Sequence, residues 1–209
     1  MTYAEIRTHL IQILNRSDCT NALADTFIEQ GMQRSQRILK LTSQERIDSV
    51  TVGPGFTGLD IPNDFIAPIA VYSDAGTYAD RKLRRVSLAH YLETPAQGGL
   101  PLVWTKDDIQ IKVRPAPSEG SNLKLLYLGE FEPFEGDDSL TTLSTVSPQL
   151  FIYGGLVFAG DYFIDDRQPV WEDRYLKIVA ELQAQSDEEE LAGGAVIQPA
   201  YMFNDGEYY

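Results

Sequence analysis

The side chains best suited to chemistry are few and scattered. Two histidines, His9 and His90, and one cysteine, Cys19, are the whole complement of imidazole and thiol. A nucleophile needs an adjacent base to take its proton. Neither histidine lies near Cys19 in sequence, and no serine sits in a G-x-S-x-G elbow. Zinc would need three or four Cys, His or acidic ligands at fixed spacings, and none occurs. The acid pairs Asp107-Asp108, Asp137-Asp138 and Asp165-Asp166 could in principle do acid–base work on a sugar. Adjacent loop residues point apart, however, and no pair has the apolar surroundings that would raise one carboxyl's pKa. They read as caps and turns. Gly53-Pro54-Gly55-Phe56-Thr57-Gly58 spells G-x-G-x-x-G, but a pyrophosphate site needs a helix start behind the glycines. Leu59-Asp60-Ile61-Pro62 follows instead and is extended, so the motif reads as a β-turn. Asn15-Arg16-Ser17 spells a glycosylation sequon, which carries meaning only behind a secretory signal. The expectation is a chain with no catalytic residues, no metal and no cofactor: not an enzyme.

Charge is the more informative property. Arg81-Lys82-Leu83-Arg84-Arg85 is the one basic cluster, read functionally as a contact with phosphate or with an acidic protein partner; charge favours the protein, making Arg81, Lys82, Arg84 and Arg85 candidate protein-contact residues. The bland alternative is an exposed strand edge blunted by charge against unwanted pairing. Net charge is −14, unevenly spread. Residues 1–114 hold 13 basic and 13 acidic side chains, whereas residues 115–209 hold 4 and 18. Such an acidic half argues against a grip on nucleic acid, which needs Lys and Arg at the phosphates. It reads as a solvated face, or as a wall along which DNA slides without sticking. Asp187-Glu188-Glu189-Glu190 falls at the end of the last helix, where the macrodipole favours cations, so either the helix frays there or a basic partner compensates.

Hydrophobic periodicity supplies the elements. Thr2-x-x-Glu5 is a capping box, and Ile6, Leu10, Ile13 and Leu14 recur at helical spacing, predicting a helix over residues 3–14. Asn15-Arg16-Ser17-Asp18 forms the bend. A second helix over residues 21–40 turns Leu23, Phe27, Ile28, Ser35, Ile38 and Leu39 inward, with Gly31 allowing close approach. Period-two alternation or short apolar runs then predict strands over residues 46–52, 58–62, 65–72, 109–114 and 123–131. Residues 87–93 read as one or two helical turns capped by Ser87. Ser147-Pro148 opens a helix. Residues 150–164 are apolar almost all round, so that helix is buried, with Gly154, Gly155 and Gly160 admitting neighbours. Pro169 starts the last helix, striped by Trp171, Tyr175, Ile178, Val179 and Leu182 and ended by Gly193-Gly194.

At 209 residues the chain is long enough for a real core, and its lone cysteine forbids an internal disulfide. Nothing at Met1 resembles a signal peptide, which predicts synthesis in a reducing cytoplasm. No charge-free apolar stretch reaches the about 18 residues of a membrane helix; residues 150–160 come nearest. The fold class expected is α+β. An N-terminal helical hairpin and two C-terminal helices form a bundle over residues 1–42 and 145–192. A β-rich, sandwich- or barrel-like domain is inserted over residues 43–144, and an extended arm covers residues 193–209. That arm holds Tyr201, Met202, Phe203, Tyr208 and Tyr209, too many large apolar groups for a solvated linker, and aromatics and Met are enriched at interface cores. They are the candidate partner-binding residues.

The order of segments resembles the head-to-tail adaptor (connector) proteins of tailed bacteriophages. It runs from Asn15-Arg16-Ser17-Asp18 at the bend, through Leu59-Asp60-Ile61-Pro62-Asn63-Asp64-Phe65 and Arg114-Pro115-Ala116-Pro117, to Pro148-x-Leu150-x-x-Tyr153-Gly154-Gly155-Leu156. In the second helix Phe27-Ile28, Arg34, Arg37 and Leu39 fit the family pattern, while Gln30 and Met32 replace its usual leucine and glutamate. The likeness covers residues 3–185. It implies a structural virion protein at the head–tail junction, made in the host cytoplasm. It implies a homo-oligomeric, dodecameric ring bound beneath the portal protein, with tail (nozzle or tube) proteins docked on it. DNA would pass through the lumen without sequence-specific binding, no membrane would be involved, and the arm would reach the portal. The alternative is a carbohydrate- or receptor-binding accessory module of the virion, suggested by 11 Tyr, 9 Phe and 2 Trp.

Overall fold

The structure, a computed structural model, describes residues 1–75, 80–96 and 100–192; the arm expected over residues 193–209 lies outside them. The chain divides into two compact units, Met1–Thr42 together with the segment from Gly136 onward, and Ser43–Glu135. The architecture is α+β, with helices at both ends and two four-stranded sheets between them in sequence.

In the helical unit, α1 (Tyr3–Leu14) starts at the anticipated capping box: the Glu5 N–H donates to Thr2 Oγ1, and the Thr2 N–H donates to Glu5 Oε2 at 2.9 Å. Asn15 closes it in the left-handed conformation, φ 53°. α2 (Asn21–Ile38) begins at the Thr20 cap and ends two residues earlier than expected, because Leu39 is already extended. Its inner face is Ala24, Phe27, Ile28, Gly31 and Ser35. Ile38, expected inside, is 45% exposed, since the face has rotated past it by the last turn.

α4 (Thr142–Val146), which no periodicity announces, is set by a capping box between Thr141 and Ser144. α5 (Pro148–Phe163) is buried almost all round and is packed by α1, α2 and α6 (Gln168–Ala192). Its proline sits at the first turn as anticipated, but Ser147 makes no side-chain cap hydrogen bond. Burial on every side explains the glycines. A methyl group on Gly31 would lie 2.6 Å from the Gly154 carbonyl carbon and 2.8 Å from the Gly155 nitrogen, so α2 and α5 touch backbone to backbone.

In the β unit, one sheet has the order β1-β8-β3-β4, with β1 Glu45–Thr51, β3 Phe65–Ser73, β4 Arg81–Lys82 and β8 Asn122–Gly129. The other has the order β2-β7-β6-β5, with β2 Leu59–Asp60, β5 Arg84–Arg85, β6 Val103–Asp107 and β7 Gln110–Arg114. Val52, Leu59, Val71, Leu83, Trp104, Ile111, Val113, Leu123, Leu125 and Tyr127 form one core shared by the two sheets. Gly53–Gly58 is the anticipated turn: the Phe56 N–H donates to the Gly53 carbonyl, and Gly55 takes φ +76°. Pro68 is tolerated in β3 because it sits at a bulge, where β4 does not reach; β4 pairs only with Tyr72 and Ser73. α3 (Leu88–Glu93) is capped by Ser87.

Candidate functional site

The basic cluster occupies a corner of the β unit. Its backbone is fixed from both sheets: the Leu83 N–H donates to the Val71 carbonyl at 2.8 Å, and the Arg84 N–H to the Leu102 carbonyl at 2.9 Å. The Val86 N–H continues the second ladder to the Trp104 carbonyl. Leu83 is buried, so it anchors the corner while Arg81, Lys82, Arg84 and Arg85 all stand exposed. Arg85 lies over the buried Trp104 ring at 5.4 Å. Nη2 of Arg84 faces Nε2 of His90 at 3.3 Å, and Nδ1 of His90 faces Glu93 at 3.5 Å. Among the described residues none of the four cations has a carboxylate partner, whereas Arg46 pairs with Asp64, Lys112 with Asp107 and Lys124 with Asp80 in the same unit. The edge-strand reading of the cluster is what the structure shows, since Arg81-Lys82 and Arg84-Arg85 are edge strands of the two sheets.

The second charged surface is the end of α6. Asp187, Glu188, Glu189 and Glu190 are exposed, and no basic residue occupies the helix's last turn. Glu189 accepts from the Thr42 hydroxyl at 2.9 Å and Asp187 from the Gln183 amide at 2.8 Å. None of the four acids has an ion-pair partner among the described residues.

The remaining candidates are built into the scaffold. Asp137 is held by Arg7 at 2.9 Å, which depresses its carboxyl pKa, and Arg7 also bridges to Asp25. Asp165 pairs with Arg167 at 2.7 Å and accepts the Arg167 backbone N–H, which together bring its pKa down to about 2. The same guanidinium donates to the Ile13 and Leu14 carbonyls and so completes the open C-terminus of α1. Arg34 forms a two-pronged pair with Glu172 over the Tyr175 ring. Beneath it Ser35 donates to the Gly31 carbonyl and its oxygen meets the Tyr175 hydroxyl at 3.0 Å. Apart from Asp165 with Arg167, these contacts were not visible in the sequence, because their partners lie up to 154 residues apart.

Cys19 is buried and its thiol is pushed up by desolvation, away from a reactive thiolate. His9 is exposed on α1, and His90 stands outside the core on α3. Among the described residues no group of three or more His, Cys, Asp or Glu is placed to hold a metal ion, and no helix is long and apolar enough to cross a membrane. Tyr201, Met202, Phe203, Tyr208 and Tyr209 lie outside the described residues. What the geometry offers is two exposed, oppositely charged surfaces on tightly cross-braced units.

Residues 1–199 match the family described as SU10 adaptor protein, a match that spans both compact units. No curated protein matches the chain.

Proposed function

Because the chain belongs to the SU10 adaptor protein family, a family of phage head-to-tail adaptors, we propose that its copies form a dodecameric ring joining the portal protein to the tail. The family match over residues 1–199 is the observation that carries this reading. The protein is a viral structural component. Its charged side chains support such a role: Arg34 and Glu172 tie α2 to α6, Arg7 ties α1 to the Asp137 loop, and Asp165 sets Arg167 against the end of α1, instead of gathering around a substrate.

In this reading nozzle or tube proteins of the tail dock on the ring, and genomic DNA passes through its lumen. The excess of carboxylates in residues 115–209 includes side chains facing that channel, where a negative wall repels the duplex and lets it slide. Residues 193–209 reach the portal, with Tyr201, Met202, Phe203, Tyr208 and Tyr209 as the contact groups. A carbohydrate-binding role has less behind it, since the two indoles, the broadest stacking platforms for a sugar, are both buried, at Trp104 and Trp171.

Co-expression with the portal protein of the same phage tests the reading. A complex should co-purify, and deletion of residues 195–209 should abolish it without unfolding the rest. Unchanged attachment after the deletion would remove the arm from the portal contact. Absence of any complex with the intact chain would count against the adaptor reading itself.

A further inference from the structure

We propose that the basic corner of the β unit docks the acidic end of α6 from a second copy of the chain. The inference rests on the ring reading above and supplies one of its subunit contacts. Arg81, Lys82, Arg84 and Arg85 present four exposed cations without a carboxylate partner among the described residues, and Asp187, Glu188, Glu189 and Glu190 present four exposed anions without a cation. The two surfaces match in number and are opposite in sign, and they lie on different units of the chain. A ring closes through heterologous contacts, in which one surface of a copy meets a different surface of the next.

The corner is suited to the task because its backbone is hydrogen-bonded into both sheets and Leu83 is plugged into the core. Ordering it on binding therefore costs little beyond side-chain freedom. The helix end gains twice: cations relieve both the repulsion among its carboxylates and the negative pole of its own macrodipole. Four cations within five residues would also suit a phosphate backbone, an occupant that the experiment below separates from a second copy.

Reciprocal charge reversal in the full chain tests the contact. One variant carries Arg81→Glu, Lys82→Glu and Arg84→Glu, sparing Arg85 on Trp104. The other carries Asp187→Lys, Glu188→Lys and Glu190→Lys, sparing Glu189 on Thr42. Sedimentation velocity, with and without the portal protein, should show wild-type oligomers that weaken at high salt. Each variant alone should associate at least tenfold more weakly, and an equimolar mixture should recover assembly, because each reversed surface then meets its complement. Circular dichroism and melting establish that the variants fold, and Lys82→Glu alone is the milder substitute if the triple variant does not. Variants that assemble like wild type would overturn the contact and leave the ring standing. Variants that stay apart when mixed would also overturn it. A wild type that never self-associates, alone or with portal, would remove the ring reading and this contact with it. Duplex-DNA binding lost in the first variant, with assembly unchanged, would reassign the corner to phosphate.

Discussion

Gly31 has no room for a methyl group. Its α-carbon faces the Gly154–Gly155 backbone, and an added Cβ would come within 2.6 Å of a carbonyl carbon that cannot swing aside. Alanine gains about 1 kcal/mol in intrinsic helix propensity, but here overpacking of about 1–3 kcal/mol should win. Gly31→Ala is therefore expected to lower the melting temperature by several degrees, while Gly136→Ala, where nothing lies within 4 Å, should leave it nearly unchanged. A raised melting temperature for Gly31→Ala would mean the helices do not meet there. Ile164 gives the opposite expectation. It caps α5 with φ 53° and is 89% exposed, so a β-branched side chain holds a left-handed conformation with little packing in return. Ile164→Gly should stabilise the fold by about 1 kcal/mol, read as a higher denaturant midpoint. Asp165 makes stability depend on pH. Its folded pKa of about 2 lies below the ordinary 3.8, so its pair with Arg167 contributes fully above about pH 4 and fades as the pH falls towards 2. Asp165→Asn should accordingly melt below wild type at neutral pH, with the gap closing by pH 2. A gap independent of pH would assign the loss to something other than the charge.

At the level of elements, the parts that periodicity made legible are those with one wet face. α1, with its Thr2–Glu5 box, and β7, with its alternation from Gln110 to Arg114, carry their boundaries in the local sequence. β6 does not, because Val103, Trp104 and Thr105 are all buried and leave no alternation to read. α4 escaped for another reason: five residues held by the Thr141–Ser144 box make too short a pattern. The basic corner was legible as composition, but its place at the junction of two sheets depends on pairings of β4 with β3 and of β5 with β6 that distant residues supply. The Arg7, Arg34 and Arg167 braces were illegible for the same reason. Thr2 carries the element-scale prediction. Thr2→Ala leaves the Glu5 N–H without its acceptor and should cost about 1 kcal/mol, measured as a reduced unfolding free energy and as faster amide exchange in the first turn of α1.

For the molecule as a whole, the β unit leaves the helical unit after Thr42 and returns before Gly136. β1 and β8 are antiparallel neighbours, with Glu45 opposite Leu128, so the insertion begins and ends at adjacent points of one sheet. Residues 43–135 contain a complete shared core and should fold cooperatively when excised, as seen by a single sigmoidal melt; a featureless melt would show that they need the helices. The proposed ring of this adaptor-family chain between portal and tail is open to direct observation by imaging the portal vertex of the intact phage particle. The expected image is a closed ring of copies of this chain beneath the portal, encircling the DNA channel, with tail proteins docked below. Particles in which the head and tail meet with no copy of the chain between them would contradict it.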